Sequence, residues 1–554
     1  MAAGRVPGRL AAPESRGVRA VLTVVAGALP ALAFPAPALW WLAWVALVPW
    51  VLLVRSAASG RQAAVSGWLG GVGFMLAVHH WLLPSLHVFF LLLAALLALF
   101  WAPWGWLVRR LLHGRPGPGR LAAAVGLVPS GWLMIELVRS WEYLGGPWGL
   151  LGASQWQVAP MLRLASVGGV WLVTFVLVAV NTALAALVAM TAGRGVPGPG
   201  RRSTGVRTAE VPAAETSGPA PGGGAVAPAA VGALAALAVT AGAVAAAWAW
   251  APVPRPDGEL RIAVVQPGVV VGQRARLERS AELTRRLAGR DADLVVWGES
   301  SVSYDLSAHR KVRDQLAALS SEVGAKILVN VDARRSDRPG IFKSSVLMGP
   351  DGPVGERYDK TRLVPFGEYV PARSLLGWAT SVGRAADEDR LRGDGPVVME
   401  AAGVKFGPLV CFETAFPDMS RQLVGQDAQL LIAQSSTSTF QHSWAPAQHA
   451  SLAALRAAEA GRPMVHATLT GRTAVNGPRG EPVGEWLGTE RSTAEIYDVP
   501  LATGETLYVR LGDWAVYAAG AGLVLFAGAE GLRSMRGRRR SPRGRADGPL
   551  TERS

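Results

Sequence analysis

The sequence predicts a polytopic α-helical membrane part joined to an α/β layered domain that lies outside the cytoplasm. Half of the 554 residues are hydrophobic, and the mean hydropathy is +0.26. About eight apolar stretches approach the ~20 residues that cross ~30 Å of hydrocarbon. Between the last two of them, residues 258–500 alternate strand-like with helix-like runs, the pattern of an α/β domain. The formal net charge of +15 is carried mostly by arginines lying between the apolar stretches, so it points to membrane topology rather than to nucleic acid.

Residues 1–19 are short and basic, with Arg5, Arg9, Arg16 and Arg19, and form a cytoplasmic segment. No Ala-x-Ala site precedes a polar region, because more apolar sequence follows at once; the first apolar segment therefore reads as a retained span. Candidate spans cover 20–35, 38–54, 63–84, 87–108, 121–138, 168–192, 229–251 and 513–532, so that 20–192 holds the first six helices. With a cytoplasmic N-terminus, the inside segments hold Arg55 and Arg61, then Arg109, Arg110, Arg115 and Arg120, then Arg194, Arg201, Arg202 and Arg207, and finally the tail arginines from Arg533 onward. The short outside segments hold little beyond Arg139 and Arg163, so the positive-inside bias places 252–512 outside the cytoplasm. His79 and His80, beside Trp81 and Pro84, read as an interfacial loop, since two adjacent ligands without a third make a poor metal site. An interfacial arm is expected at 139–163, its tryptophans and tyrosine suited to the headgroup level. Residues 193–228, rich in Pro, Gly, Ala and Ser, read as a disordered cytoplasmic linker, and 533–554 as a basic cytoplasmic tail against anionic headgroups.

Within 258–500 the expected strands are Leu260–Gln266, Asp293–Glu299, Lys326–Val331, Ser345–Met348, Val404–Cys411 and Leu430–Gln434. The expected helices are Arg274–Leu287, Ala308–Glu322 and His449–Ala460. There is no Gly-rich phosphate loop and no spaced Cys/His set, so neither cofactor nor metal is expected. His442, His449 and His466 are scattered at element edges and read as structural or solvent-facing.

The chemistry gathers around Cys411, the only cysteine, at the end of the apolar run Val404–Val410. A lone thiol is either inert packing or a nucleophile. Two other stretches bear on that choice. Asp293-Leu-Val-Val-Trp-Gly-Glu-Ser300 is a buried strand ending in an acid, Glu299, and the segment Tyr358–Pro371 sets Lys360 and Glu368 in a loop rich in Pro, Gly and aromatic residues. A carboxylate can take a thiol proton and an ammonium can hold the oxyanion of a thioester-forming attack.

The order and surroundings of these residues resemble the carbon-nitrogen hydrolase, or nitrilase, superfamily. The run Lys360-x-x-Leu-Val-Pro-Phe-Gly-Glu-Tyr-Val-Pro371 resembles one branch of it, the apolipoprotein N-acyltransferases of bacterial envelopes. Gly145-Gly-Pro-Trp148 and Leu151-Gly-x-Ser-Gln155 are similar to that family's periplasmic arm. The resemblance implies a four-layer α-β-β-α nitrilase-like sandwich, a Glu299–Lys360–Cys411 triad with Glu368 as supporting acid, and Glu413 as a further site residue. It implies a multi-pass protein of the bacterial cytoplasmic membrane whose catalytic domain faces outward. The implied acyl donor is a membrane phospholipid and the acceptor a diacylglyceryl lipoprotein. One departure stands out: where the family shows Asn-Asp-x-Trp-Phe, this chain reads Gln434-Ser-Ser-Thr-Ser-Thr-Phe440, and Phe412 stands where tyrosine is common. Competing functions are a membrane-tethered amidase, an acyltransferase with another amine acceptor, and a non-catalytic envelope scaffold.

Overall fold

A computed structural model of the chain describes residues 15–192, 226–371, 373–376 and 388–540. Residues 193–225 of the expected linker, most of the N-terminal segment and the end of the basic tail lie outside the described residues, while 226–228, expected to end the linker, are the first residues of a helix.

The membrane part comprises α1 (Arg16–Ala28), α2 (Val48–Arg55), α3 (Gly60–Val78), α4 (Leu83–Leu86), α5 (Val88–Ala98), α6 (Trp101–Leu112), α7 (Pro118–Arg139), α8 (Ala159–Ala192) and α9 (Val226–Trp250). Among the described residues five helices are long and apolar enough to cross a membrane, or seven if each of two bent pairs is one span. The pairs are α3 with His80–Leu86, bent by 65°, and α5 with α6, bent by 40°. The expected span at 38–54 is instead a 3-10 turn, Trp40–Trp44, followed by the eight residues of α2. Pro49 lies in the first turn of α2; it lacks an N–H and suits a helix start, but it cannot continue a ladder arriving from Trp44.

Where the sequence suggests a span beginning at residue 168, α8 begins at Ala159 and breaks at Gly168 and Gly169. Gly169 has φ +68°, and a Cβ there would lie 2.6 Å from the Tyr508 ring. Only glycine meets both demands. Trp50, Trp101, Trp104 and Trp132 are buried between the helices, with Trp132 within 5.3–5.7 Å, centroid to centroid, of each of the other three.

The second domain holds β1 (Arg255–Gln266), β2 (Leu294–Trp297), β3 (Lys326–Arg334), β4 (Ile341–Gly349), β5 (Gly352–Asp359), β6 (Met399–Ala401), β7 (Val404–Val410), β8 (Leu430–Ser435), β9 (Met464–Thr468), β10 (Ala474–Asn476) and β11 (Thr493–Thr503). They form two sheets, ordered β11-β1-β2-β3-β4-β5 and β10-β9-β8-β7-β6. The period of two along each strand sorts the side chains into layers. Ile262, Val264, Val296 and Leu328 face the other sheet and meet Phe406, Val410, Ile432 and Val465. Ala263, Val265, Val295 and Ile327 face outward onto α10 (Gln273–Arg285) and α11 (Arg310–Val323). On the other side, Leu409, Leu431 and Ala433 belong to the same cluster as residues of α13 (Pro417–Val424), α14 (Ala445–Ala460) and α8; the short α12 (Arg373–Leu376) lies between β5 and β6. The result is α-β-β-α, with one helix layer merged into the membrane bundle. Every residue of α14 is buried, because it is covered by a sheet on one side and by membrane helices on the other. After β11 the chain passes through α15 (Leu507–Leu511) into α16 (Trp514–Arg540).

Candidate active site

Three strands end at one place. β2 runs into Gly298 and Glu299, β5 into Lys360, and β7 into Cys411. β2 and β5 belong to the first sheet and β7 to the second. The two sheets are tied here by Glu299 N–H, which donates to Ser435 O at 3.2 Å. Gln434, which opens the segment that departs from the family's pattern but lies within β8, spans them too: its amide donates to Trp297 O at 2.8 Å and accepts from Ser345 Oγ at 2.6 Å.

Lys360 is fully buried, with Nζ 3.3 Å from Glu299 Oε1 and 2.8 Å from Glu368 Oε1. Lys343, the third residue of β4, reaches the same two oxygens at 2.7 and 2.9 Å. Burial opposes charge on all four groups, yet the alternation of carboxylate and ammonium outweighs it. Glu368 is held down to about 2 and Glu299 is lowered, chiefly by Lys343 and Lys360, while both lysines are raised by the carboxylates. The site at rest thus holds two ion pairs.

Cys411 is partly accessible and has φ +52°, a left-handed conformation rare for a side-chain-bearing residue. Its thiol is pushed up to about 12, first by burial and then by Glu299, with Lys360 and Lys343 pulling the other way. Cys411 is therefore a thiol at neutral pH, in the field of all four charged groups. Sγ lies 3.9 Å from Ser436 O, to which the thiol donates.

Glu413 does not face that cluster. Its carboxylate accepts from Val410 N–H at 2.8 Å, Thr361 N–H at 2.7 Å, Arg362 N–H at 3.0 Å and Tyr358 O–H at 2.8 Å. It clamps the Lys360 segment to the Cys411 elbow, so it is a site residue through architecture.

The arm closes the site from the membrane side. Glu136 of α7 accepts from Leu151 N–H at 2.7 Å, and Arg139 donates to Trp148 O at 2.9 Å. Trp148 donates to Gln448 Oε1 at 2.9 Å, and Arg392 pairs with Glu142 at 2.6 Å. Trp148 therefore docks on the second domain, whereas Trp141 and Tyr143 are exposed. Gly146 has φ +71°, and a Cβ there would lie 2.5 Å from Phe412 Cζ, which accounts for the glycine beside Pro147. Between arm and domain lies a cavity of 670 Å³ whose lining includes Tyr143, Phe342, Leu363, Tyr369 and Arg392. The departing loop ends against the bend after α3: Phe440 packs on Trp81 at 4.8 Å and Trp444 on His80 at 4.5 Å.

Comparison with known proteins shows the family of the chain. The family model for the apolipoprotein N-acyltransferase N-terminal domain matches residues 26–183, and that for carbon-nitrogen hydrolase matches 261–507. A Pseudomonas aeruginosa (strain UCBPP-PA14) protein named apolipoprotein N-acyltransferase is 30% identical over 530 residues, covering 92% of this chain and 95% of its own. The chain belongs to the apolipoprotein N-acyltransferase family. A relative of the same name from Geobacter metallireducens is 28% identical over 528 residues, 92% of this chain and 94% of its own. Among solved structures, an amidase of the nitrilase superfamily from Nesterenkonia AN1 covers 48% of this chain and 98% of its own, at 19% identity and a TM-score of 0.35. Nit3 of Saccharomyces cerevisiae, also of the nitrilase superfamily, covers 46% and 94%, at 18% identity and a TM-score of 0.34. The second domain of this acyltransferase-family chain has the carbon-nitrogen hydrolase fold.

Sequence reasoning missed two residues of the site. Lys343 lies just before the expected strand Ser345–Met348 and carries no expectation; the signal available was that the chain has only five lysines. His449 reads as an edge residue, but it lies inside α14 and its Nε2 is 2.9 Å from Cys411 O. Burial lowers His449 to about 4, so the neutral ring donates that hydrogen bond. His466 packs against it with ring centroids 4.6 Å apart, while His442 is exposed.

Proposed function

We propose that the chain transfers a fatty acyl group from a membrane phospholipid to the N-terminal amine of a diacylglyceryl-cysteine lipoprotein, through a thioester on Cys411. The observation that carries this reading is the convergence of Glu299, Lys360 and Cys411 beneath an arm that leaves the membrane helices at Arg139. A nucleophile in that position meets substrates at the bilayer surface. The names of the relatives supply the substrate class.

In the first half-reaction Glu299 accepts the Cys411 proton as sulfur attacks the ester carbonyl. The oxyanion forms beside the Lys360 ammonium. The C–O bond then breaks, and the leaving alkoxide recovers the proton from Glu299 as lysophospholipid departs. In the second half-reaction the lipoprotein amine attacks the thioester, gives its proton to the Glu299 carboxylate, and releases the thiol as the C–S bond breaks and sulfur is reprotonated. The protein is a multi-pass component of the bacterial cytoplasmic membrane in this reading, with the catalytic domain on the outer face, as the arginine distribution supports.

Intact mass spectrometry of the full chain after incubation with phospholipid vesicles tests the proposal. The expected result is one fatty-acyl mass on the parent, absent from Cys411→Ala and discharged by a diacylated lipopeptide but not by water. Discharge by water would point to a hydrolase, and no adduct on the parent would overturn the thioester.

A further inference from the structure

The Glu-Lys-Cys assembly described above needs one ammonium, yet this site contains two. Lys343 sits on β4 directly opposite Asp332 of β3, and that register aims it at the strand ends where Glu299 and Lys360 emerge. Its carbonyl accepts from Lys360 N–H at 2.8 Å, so the two lysines are also joined through the backbone. Nζ of Lys343 lies nearer to Glu299 than Nζ of Lys360 does, 2.7 against 3.3 Å. Both ammonium groups touch both carboxylates, which makes a closed ring of alternating charge.

We infer that Lys343 is a positioning residue for the acyl-transfer site: it neutralises the second carboxylate, so that Glu299 stays ionised as the proton acceptor and Lys360 keeps a donor for the oxyanion. The inference rests on Cys411 acting as the nucleophile. Without Lys343, Glu299 and Glu368 would share a single ammonium, and one of two close carboxylates then holds a proton. A protonated Glu299 cannot receive the Cys411 proton. An ammonium has three donors. Lys360 directs two to the carboxylates, and the third remains for the substrate. The other charged or titratable groups near the ring are Cys411, His449 on α14, Asp332 on β3 and Glu413, which feels the Lys360 charge although its oxygens are turned to the backbone N–H groups of Val410, Thr361 and Arg362. Asp332, 4.0 Å from Lys343, is already engaged by Arg390 at 3.3 Å and by Ser300 Oγ at 3.2 Å, so it does not take over the role of Glu368.

The test uses the full chain in detergent with p-nitrophenyl butyrate, an activated ester whose reaction with Cys411 does not depend on the natural donor. The C–O bond of the ester breaks, the C–S bond forms, the thiol proton passes to Glu299, and one p-nitrophenolate leaves. Acylation of Cys411, read by intact mass, is followed against pH for the parent, Lys343→Met, Lys343→Gln and Lys343→Arg, with Cys411→Ala as the blank. The expected result is that the acid limb of the rate profile moves up by at least one pH unit in the Met and Gln variants, a tenfold loss on that limb. Lys343→Arg, which restores the charge, should return it towards the parent. A folded Met or Gln variant whose acid limb stays in place, whatever its overall rate, would overturn the inference. So would failure of both neutral variants to fold while Lys343→Arg folds with a displaced limb. Acylation by this ester without any from phospholipid vesicles would count against the proposed donor and leave the ring to be judged by the limb alone.

Discussion

Replacing Glu413 separates architecture from chemistry at this site. The carboxylate is fully buried and accepts from three backbone N–H groups, those of Val410, Thr361 and Arg362, as well as from Tyr358 and Thr361 hydroxyls. Glu413→Ala leaves the three N–H groups without an acceptor. A buried donor stranded in this way costs ~1–3 kcal/mol, so the sum spans ~3–9 kcal/mol, and partial relaxation sets the expectation near ~4 kcal/mol. Spread over a domain of this size, that lowers Tm by roughly 8–16 °C. Glu413→Gln keeps one carbonyl oxygen for the Thr361 and Arg362 side and turns an N–H₂ towards Val410, so its cost is about 1–3 kcal/mol. The assay is thermal unfolding in detergent with a thiol-reactive fluorophore, which reports on one site because Cys411 is the only cysteine. Acylation should fall with stability in the order parent, Gln, Ala, because the same clamp sets Lys360 against Cys411. A Glu413→Ala protein that melts within about 2 °C of the parent and acylates at the parent rate would refute the clamp, since ~1 kcal/mol already moves Tm by about that much.

Three further expectations follow from the same geometry. Glu368 is depressed from 4.5 to about 2 in the folded protein, so its ion pairs contribute stability above its unfolded value and lose it as pH falls from 4.5 towards 2. Glu368→Gln should therefore flatten the acid side of the Tm-against-pH curve, and an unchanged acid side would show that the ring contributes nothing to folding. Cys411, pushed up to about 12, should react with iodoacetamide at pH 8 at least a hundredfold more slowly in the folded than in the unfolded chain, because only the thiolate attacks; equal rates would mean the resting thiol is already ionised. Gly146→Ala places a methyl group against Phe412 at a left-handed backbone position, so the arm must shift. Acyl transfer should drop by at least tenfold with little change in Tm, and a fully active variant would remove the arm from the site.

Much of the site was legible in the chain because two of its three central residues, Glu299 and Cys411, follow directly on apolar runs. The runs before Glu299 and Cys411 have the length of buried strands, and the structure places their ends together. Lys360 follows directly on β5, a strand whose exposed middle, Pro353–Glu356, hid it from any search for apolar periods. The strands β9 and β10 were missed because five and three buried residues are too short to show a period. β11 was missed for another reason: it is an edge strand with a half-exposed first half, and only its pairing with β1 makes it a strand. The span expected at 38–54 failed on Pro49, where apolar content alone does not tell a helix start from a helix interior.

The sequence by itself determined the apolar helical part and the α/β layers, since hydrophobic period is a property of neighbouring positions along the chain, and its resemblance to a known family pointed to Glu299, Lys360, Glu368 and Cys411 as candidates. Only the tertiary structure decided what those residues face. Lys343 became part of the site through the register of β4 on β3, His449 through the burial of α14 between a sheet and the membrane helices, and Glu413 turned from the reaction centre to the backbone of the Lys360 segment. Each of these depends on contacts between segments distant in sequence, and a one-residue change in register or helix phase would have put the same side chain on the opposite face.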